Sequence, residues 1–257
     1  VFDTAGTPNR AMVSGSYAFV ADQGGGLEIL NIANAASPSR MGSFNTSGSA
    51  QGVFVSGDYV YVGDDSAGLR IFNISDVSVP TLTSTFDTSG RSRGVAVSGD
   101  YAYLADSYGG FHIINISNAA VPTRAGGLGI QWPWDVVVSG AYAFVSDDQG
   151  GMWVVNVSSA ASPTLTSTFD TTGQSYGIFV SGAYAYVADH FSGLQIIDIS
   201  SLAAPSLIQP AVTSTQLVID YYNSVAKFWY YDDLVGTWTI SAARAGVTTA
   251  TDSIIVN

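Results

Sequence analysis

GDYAYLADSYGGFHIINISNAAVPT, residues 99–123, is the stretch that decides the fold. Its first eight letters return four more times: GSYAFVAD at 15–22, GDYVYVGD at 57–64, GAYAFVSD at 140–147 and GAYAYVAD at 182–189. The opening glycines, Gly15, Gly57, Gly99, Gly140 and Gly182, stand 42, 42, 41 and 42 residues apart. A second marker, Asn31, Asn73, Asn115, Asn156 and Asp198, keeps the same step. Two markers in register make a repeat rather than low complexity. A period of roughly 40–45 residues with strand-like content is that of propeller blades.

One unit reads as four strands, a to d. GVAVSG is short and ends in a turn; YAYLAD alternates aromatic and small residues, the period of two expected of a strand. GFHIINIS is a third strand rich in Ile, and NAAVP a turn carrying proline. A more polar fourth strand follows, PTLTSTF in other copies, as befits the exposed outer edge of a blade. In strand b, Tyr101 and Tyr103 share one face while Ala102 and Leu104 share the other. A bulky flank on one sheet and a lean flank on the next predict that neighbouring blades nest, with these tyrosines as core.

The third strands, GLEILNI, GLRIFNIS, GFHIINIS, GMWVVNVS and GLQIIDIS, each with a proline several residues on, resemble the LVIVD repeat of bacterial and archaeal surface proteins. The resemblance covers residues 1 to about 207 and departs from the family in favouring Asn where Asp is usual. It implies a β-propeller, commonly extracellular, and no single activity. Five units are expected to close a five-bladed ring, or a larger one if the chain is part of a longer protein.

Composition narrows the partners. Of 257 residues 47% are hydrophobic and only 11% charged, so the surface must rest on Ser, Thr, Asn and Gly. Formal net charge is −12, with Lys227 the one lysine, which argues against nucleic acid and anionic membranes. The chain has no cysteine, hence no disulfide and no thiol chemistry. No apolar run approaches the ~18 residues of a membrane span.

Strand order sends the d-to-a loops and the b-to-c hairpins to one face of the disc. Each hairpin reads D-x-x-x-G: Asp22/Gly26, Asp64/Gly68, Asp106/Gly110, Asp147/Gly151 and Asp189/Gly193. These aspartates are calcium candidates, weak ones because each hairpin offers one or two carboxylates. The plainer expectation is that each accepts backbone N–H bonds within its own turn. The d-to-a loops vary. At one register they carry Asn9, Gln51, Arg93, Trp134 and Tyr176. Unit four has QWPWD in place of the usual loop, so Trp132, Trp134 and Asp135 join the candidate ligand site, a candidate sugar platform. The alternative is that these rings plug the channel or pack beneath the loop.

Catalytic patterns are thin. His112 and His190 are the only histidines, and no nucleophile elbow, metalloprotease motif or P-loop is present. No enzyme activity, cofactor or resident metal is expected. Three of four N-x-S/T sequons fall on the recurrent Asn of strand c (Asn73, Asn115, Asn156), which a structural role in the c-to-d turn explains. After Pro205 the texture changes. Residues 208–257 read as four strands in a small β module, a diverged sixth blade or half of an immunoglobulin- or cadherin-like sandwich, which they resemble. Its apolar residues Phe228, Trp229, Tyr230, Trp238 and Ile240 are candidate assembly contacts. The expectation is therefore an all-β extracellular or cell-surface protein. A propeller spans 1–207 and serves structure and adhesion, contacting itself or other surface macromolecules. The alternative is a carbohydrate-binding propeller, and a hydrolase is the third and weakest reading.

Overall fold

The computed structural model describes residues 2–208 and, beyond them, 217–218, 227–228, 236–242 and 250–256. The chain divides into two units, Val1–Leu207 and Ile208–Asn257. In the first, five four-stranded antiparallel sheets follow one another, each a meander whose spatial order is its sequence order. Blade one is β1 Arg10–Ser14, β2 Tyr17–Ala21, β3 Leu27–Asn31 and β4 Ser39–Phe44. Blade two is β5 Gly52–Ser56, β6 Tyr59–Gly63, β7 Leu69–Asn73 and β8 Thr81–Phe86. Blade three is β9 Arg91–Ser98, β10 Tyr101–Ser107, β11 Gly110–Asn115 and β12 Thr123–Leu128. Blade four is β13 Pro133–Ser139, β14 Tyr142–Asp147, β15 Gly151–Asn156 and β16 Thr164–Phe169. Blade five is β17 Gly177–Ser181, β18 Tyr184–Ala188, β19 Leu194–Asp198 and β20 Ser206–Leu207. This is a β-propeller of five repeats, as the period predicts.

Local chemistry recurs with the fold. The a-to-b turn needs a left-handed residue, and the glycine there has φ of 55–58° in all five units. After strand c, the Oδ1 of Asn73 accepts from the Ser75 backbone N–H at 2.9 Å and the Ser75 hydroxyl at 2.7 Å; Asn115 and Asn156 do the same with Ser117 and Ser158. That bond makes the sequon recurrence a turn requirement. In blades one to four the outer strand carries a bulge opposite the middle of strand c, for instance between Ile71 and Phe72. It bends the edge away from flat pairing.

The core lies between blades. Tyr103, Phe111 and Ile113 of blade three pack with Val136, Ala143, Val145 and Val155 of blade four. The opposite flank of blade three, Val95, Ala102, Leu104 and Ile114, packs with Tyr61, Leu69 and Ile71 of blade two. The same bulky-to-lean contact joins blades one and two and blades four and five. Burial of each such Leu, Ile or Phe contributes about 1.5–3 kcal/mol, so these flanks, rather than the single sheets, hold the disc together.

The ring expectation needs one correction. The innermost strands pack side by side in the order β1, β5, β9, β13, β17, but β17 and β1 do not pack as the other neighbours do. Leu194 of blade five is 54% exposed, although its counterparts Leu27, Leu69, Phe111 and Met152 are fully buried. Among the described residues, the five repeats leave a seam between the fifth and first blades.

In the second unit, β21 Leu217–Val218 pairs with β22 Lys227–Phe228, and β23 Gly236–Ala242 pairs with β24 Ala250–Val256, both antiparallel. Of the assembly candidates, Phe228 lies on β22 and Trp238 and Ile240 on β23, while Trp229 and Tyr230 fall outside the described residues.

Candidate functional site

The site is built on a clamp. Asp64 is fully buried at the end of β6. Its Oδ1 accepts from the Thr46 hydroxyl at 2.6 Å, and its Oδ2 from the Gly48 N–H at 3.0 Å and the Arg70 Nε at 3.2 Å. Asp106 holds Thr88, Gly90, Ser92 and His112 in the same way, Asp22 holds Thr4 and Gly6, and Asp189 holds Thr171 and Ser175. The aspartates thus reach across to the incoming d-to-a loop rather than into their own turn. The loop sequence Thr-x-Gly presents a hydroxyl and an N–H together, and the hairpin glycine turns away with positive φ. Blade four, whose loop lacks that sequence, is the exception: Asp147 accepts from Gln149 and Gly150 within its own hairpin. Burial pushes the Asp64 carboxyl up, against the lowering by Thr46, Gly48 and Arg70. As calcium candidates, Asp22, Asp64, Asp106, Asp147 and Asp189 are thus separate, one to each loop. Among the described residues no group of three or more His, Asp or Glu side chains gathers to hold a metal ion.

With the loops pinned, the variable residues converge. Asn9, Gln51, Arg93, Trp134 and Tyr176, one from each blade, line a single cup of about 270 Å³ together with Arg10, Asp135 and Gly177. The Asn9 amide donates to the Gln51 carbonyl at 2.8 Å and to its side-chain oxygen at 3.1 Å. The Arg93 Nε donates to Ser107 Oγ at 3.2 Å, and its guanidinium lies over Trp134, 3.8 Å from the ring centre. Trp134 meets Tyr176 at 4.4 Å, and Tyr176 meets His190 at 5.3 Å. Burial lowers the Arg93 pKa, and burial, with the Asp148 carboxylate beside it, raises that of Tyr176.

Two placements differ from the platform expected for the tryptophans. Trp132 does not line the cup; it packs edge-on against the exposed Tyr108 at 4.3 Å. Trp134 has Arg93 and Tyr176 as ring neighbours, so its contribution is a wall. Asp135 lies on the floor, nearly buried, ion-paired with Arg10 of blade one and accepting from the Val136 N–H at 2.8 Å and the Ile178 N–H at 3.3 Å. Arg10 is the residue that sequence reasoning missed. Its register carries Gly52, Gly94 and Gly177 in three other units and Asp135 in the fourth. A lone base and a lone acid among glycines is the signal of a pair meeting across the centre.

The histidines offer no triad. His112 is buried and bonded to Asp106 at 3.2 Å. His190 meets Phe191 edge-on at 3.9 Å, while Asp189 is turned inward to Thr171 and Ser175.

A profile of the LVIVD repeat matches residues 5–46, 47–88, 89–127, 133–171 and 172–213. The chain belongs to the LVIVD repeat family. No curated protein matches it. Among solved structures, the LVIVD chain is similar to the computationally designed Ika8 protein, with a TM-score of 0.61 at 9% identity over 76% of this chain and 59% of that one. It is also similar to the β-propeller domain of Cps50 (Swd1) from Myceliophteria thermophila, with a TM-score of 0.61 at 10% identity over 79% of this chain and 68% of that one. At such identity the likeness speaks for the fold of the LVIVD blades alone. The chain spans about three-fifths of the designed protein's length.

Proposed function

We propose that this LVIVD propeller is a non-enzymatic recognition protein of the cell surface or extracellular space. In this reading its central cup takes one ring of a carbohydrate or a similar polyhydroxylated unit. The observation that carries it is the convergence of five different side chains, one from each repeat, on one cup above a repeated clamp. A cup of about 270 Å³ lies just below the usual range of drug-sized sites, which suits one small unit rather than a long chain. Amides, a guanidinium and a phenol offer donors and acceptors at fixed angles, and the Arg10–Asp135 pair neutralises the floor. Chemistry of this kind suits hydroxyls better than a bare ion. An adhesive scaffold for protein contacts is the second reading, favoured by Tyr108 and Phe191, 64% and 87% exposed and packed on Trp132 and His190.

A glycan array followed by calorimetry on the strongest hit tests the first reading. Arg93→Ala and Tyr176→Ala are expected to weaken binding about tenfold or more, which is about 1.4 kcal/mol, whereas Trp132→Ala leaves it within a factor of about two. Loss on Trp132→Ala with retention on Arg93→Ala moves the contact to the outer aromatic patch and overturns the cup as its site.

A further inference from the structure

The seam between blades five and one has two unlike walls. On blade five, Phe179 is 62%, Tyr184 39% and Leu194 54% exposed. In the other four blades the same strand positions form the bulky flank that the following blade covers. On blade one, Val13 is 61% exposed and Ala11 is also exposed, in register with Val55 and Val53 of blade two, which are 9% and 2% exposed. The sequence does not mark these positions as surface: the place of Leu194 is fully buried in the other four blades, and those of Phe179 and Val13 are buried or half-buried there. Contiguous apolar surface of this kind marks an interaction site.

We propose that this pair of flanks joins copies of the protein head to tail: blade five of one copy receives blade one of the next. The contact continues an interface that the molecule already makes four times. The bulky wall requires a lean partner of Val and Ala on a twisted sheet, and blade one of a second copy presents that surface at Ala11 and Val13. Two unlike patches make the contact heterologous, so it propagates rather than stopping at a symmetric dimer. The contact is independent of the cup and of any ligand.

Sedimentation of the full chain from about one to about a hundred micromolar tests it, a span that covers the weaker end of protein interfaces. The average mass is expected to rise with concentration. Leu194→Asp spoils the bulky flank and Val13→Asp the lean one; each variant alone is expected to remain monomeric. Mixed, they keep one good flank each and are expected to form a one-to-one heterodimer. Both positions are exposed, so circular dichroism should show native folding; a variant that fails this check is replaced by Phe179→Lys or Ala11→Lys under the same criteria. A wild-type chain that stays monomeric throughout, single variants that associate like the wild type, or a mixture that stays monomeric each overturns the proposal.

Discussion

Replacing Asp106 by alanine is expected to destabilise the propeller by about 3 kcal/mol, because hydrogen bonds to a charged group are each worth about 1.5–3 kcal/mol and part of that is offset by no longer burying the charge. Asp106 is fully buried and takes Thr88 Oγ1 at 2.8 Å, Ser92 Oγ and the Gly90 N–H at 3.0 Å, and His112 Nε2 at 3.2 Å. Truncation leaves these donors facing an apolar gap. Asp106→Asn keeps the volume but turns an amide N–H toward donors, so it is expected to cost about 2 kcal/mol. Urea unfolding with an unchanged m-value checks both. The loop at 87–90 leads straight into β9, so Asp106→Ala is also expected to weaken any ligand that contacts Arg93. A loss below about 1 kcal/mol would mean that the aspartates are solvated turn residues and not the fastening of the loops.

Gly52→Ala is expected to cost about 3 kcal/mol, at the upper end of overpacking penalties. A Cβ at Gly52 would lie 2.2 Å from the Arg93 carbonyl oxygen, a backbone atom of the neighbouring inner strand that cannot rotate away. The innermost strands of blades two and three would have to part, and the cup would widen between Gln51 and Arg93. Gly57→Ala is the control. A Cβ there meets nothing within 4 Å, but the backbone has φ +57°, so only the left-handed penalty of about 1–2 kcal/mol applies. The order of the two, measured in the same denaturant series, separates close approach at the centre from turn strain at the rim.

These two residues also show what the letters of the chain can and cannot convey. The blade is legible because each of its strands has its own chemistry: alternation in YAYLAD, Ile in strand c, Ser and Thr on the outer edge. The register of Asn9, Gln51, Arg93, Trp134 and Tyr176 is legible because a constant frame around a changing letter marks a presented side chain. The direction in which the aspartates reach is not. An Asp in D-x-x-x-G has donors within its own turn, and only the fold brings the preceding Thr-x-Gly loop closer. The separation of Trp132 from Trp134 is hidden for a similar reason, since a proline between them fixes no partner for either ring. The open seam is the hardest to foresee: Leu194 occupies the same place in its repeat as Leu27 and Leu69, and its exposure follows from what neighbours blade five.

A cross-link across the centre tests the account most directly. The chain has no cysteine, so Arg10→Cys with Asp135→Cys places two unique thiols 125 positions apart, at the point where the first and fourth blades meet. At high dilution a short bismaleimide is expected to join them within one chain. Arg10→Cys with Gly140→Cys, at the far end of β13, is expected to react singly at each thiol. Separate labelling of both thiols in the first of these double variants would contradict an arrangement around a common axis, and with it the cup.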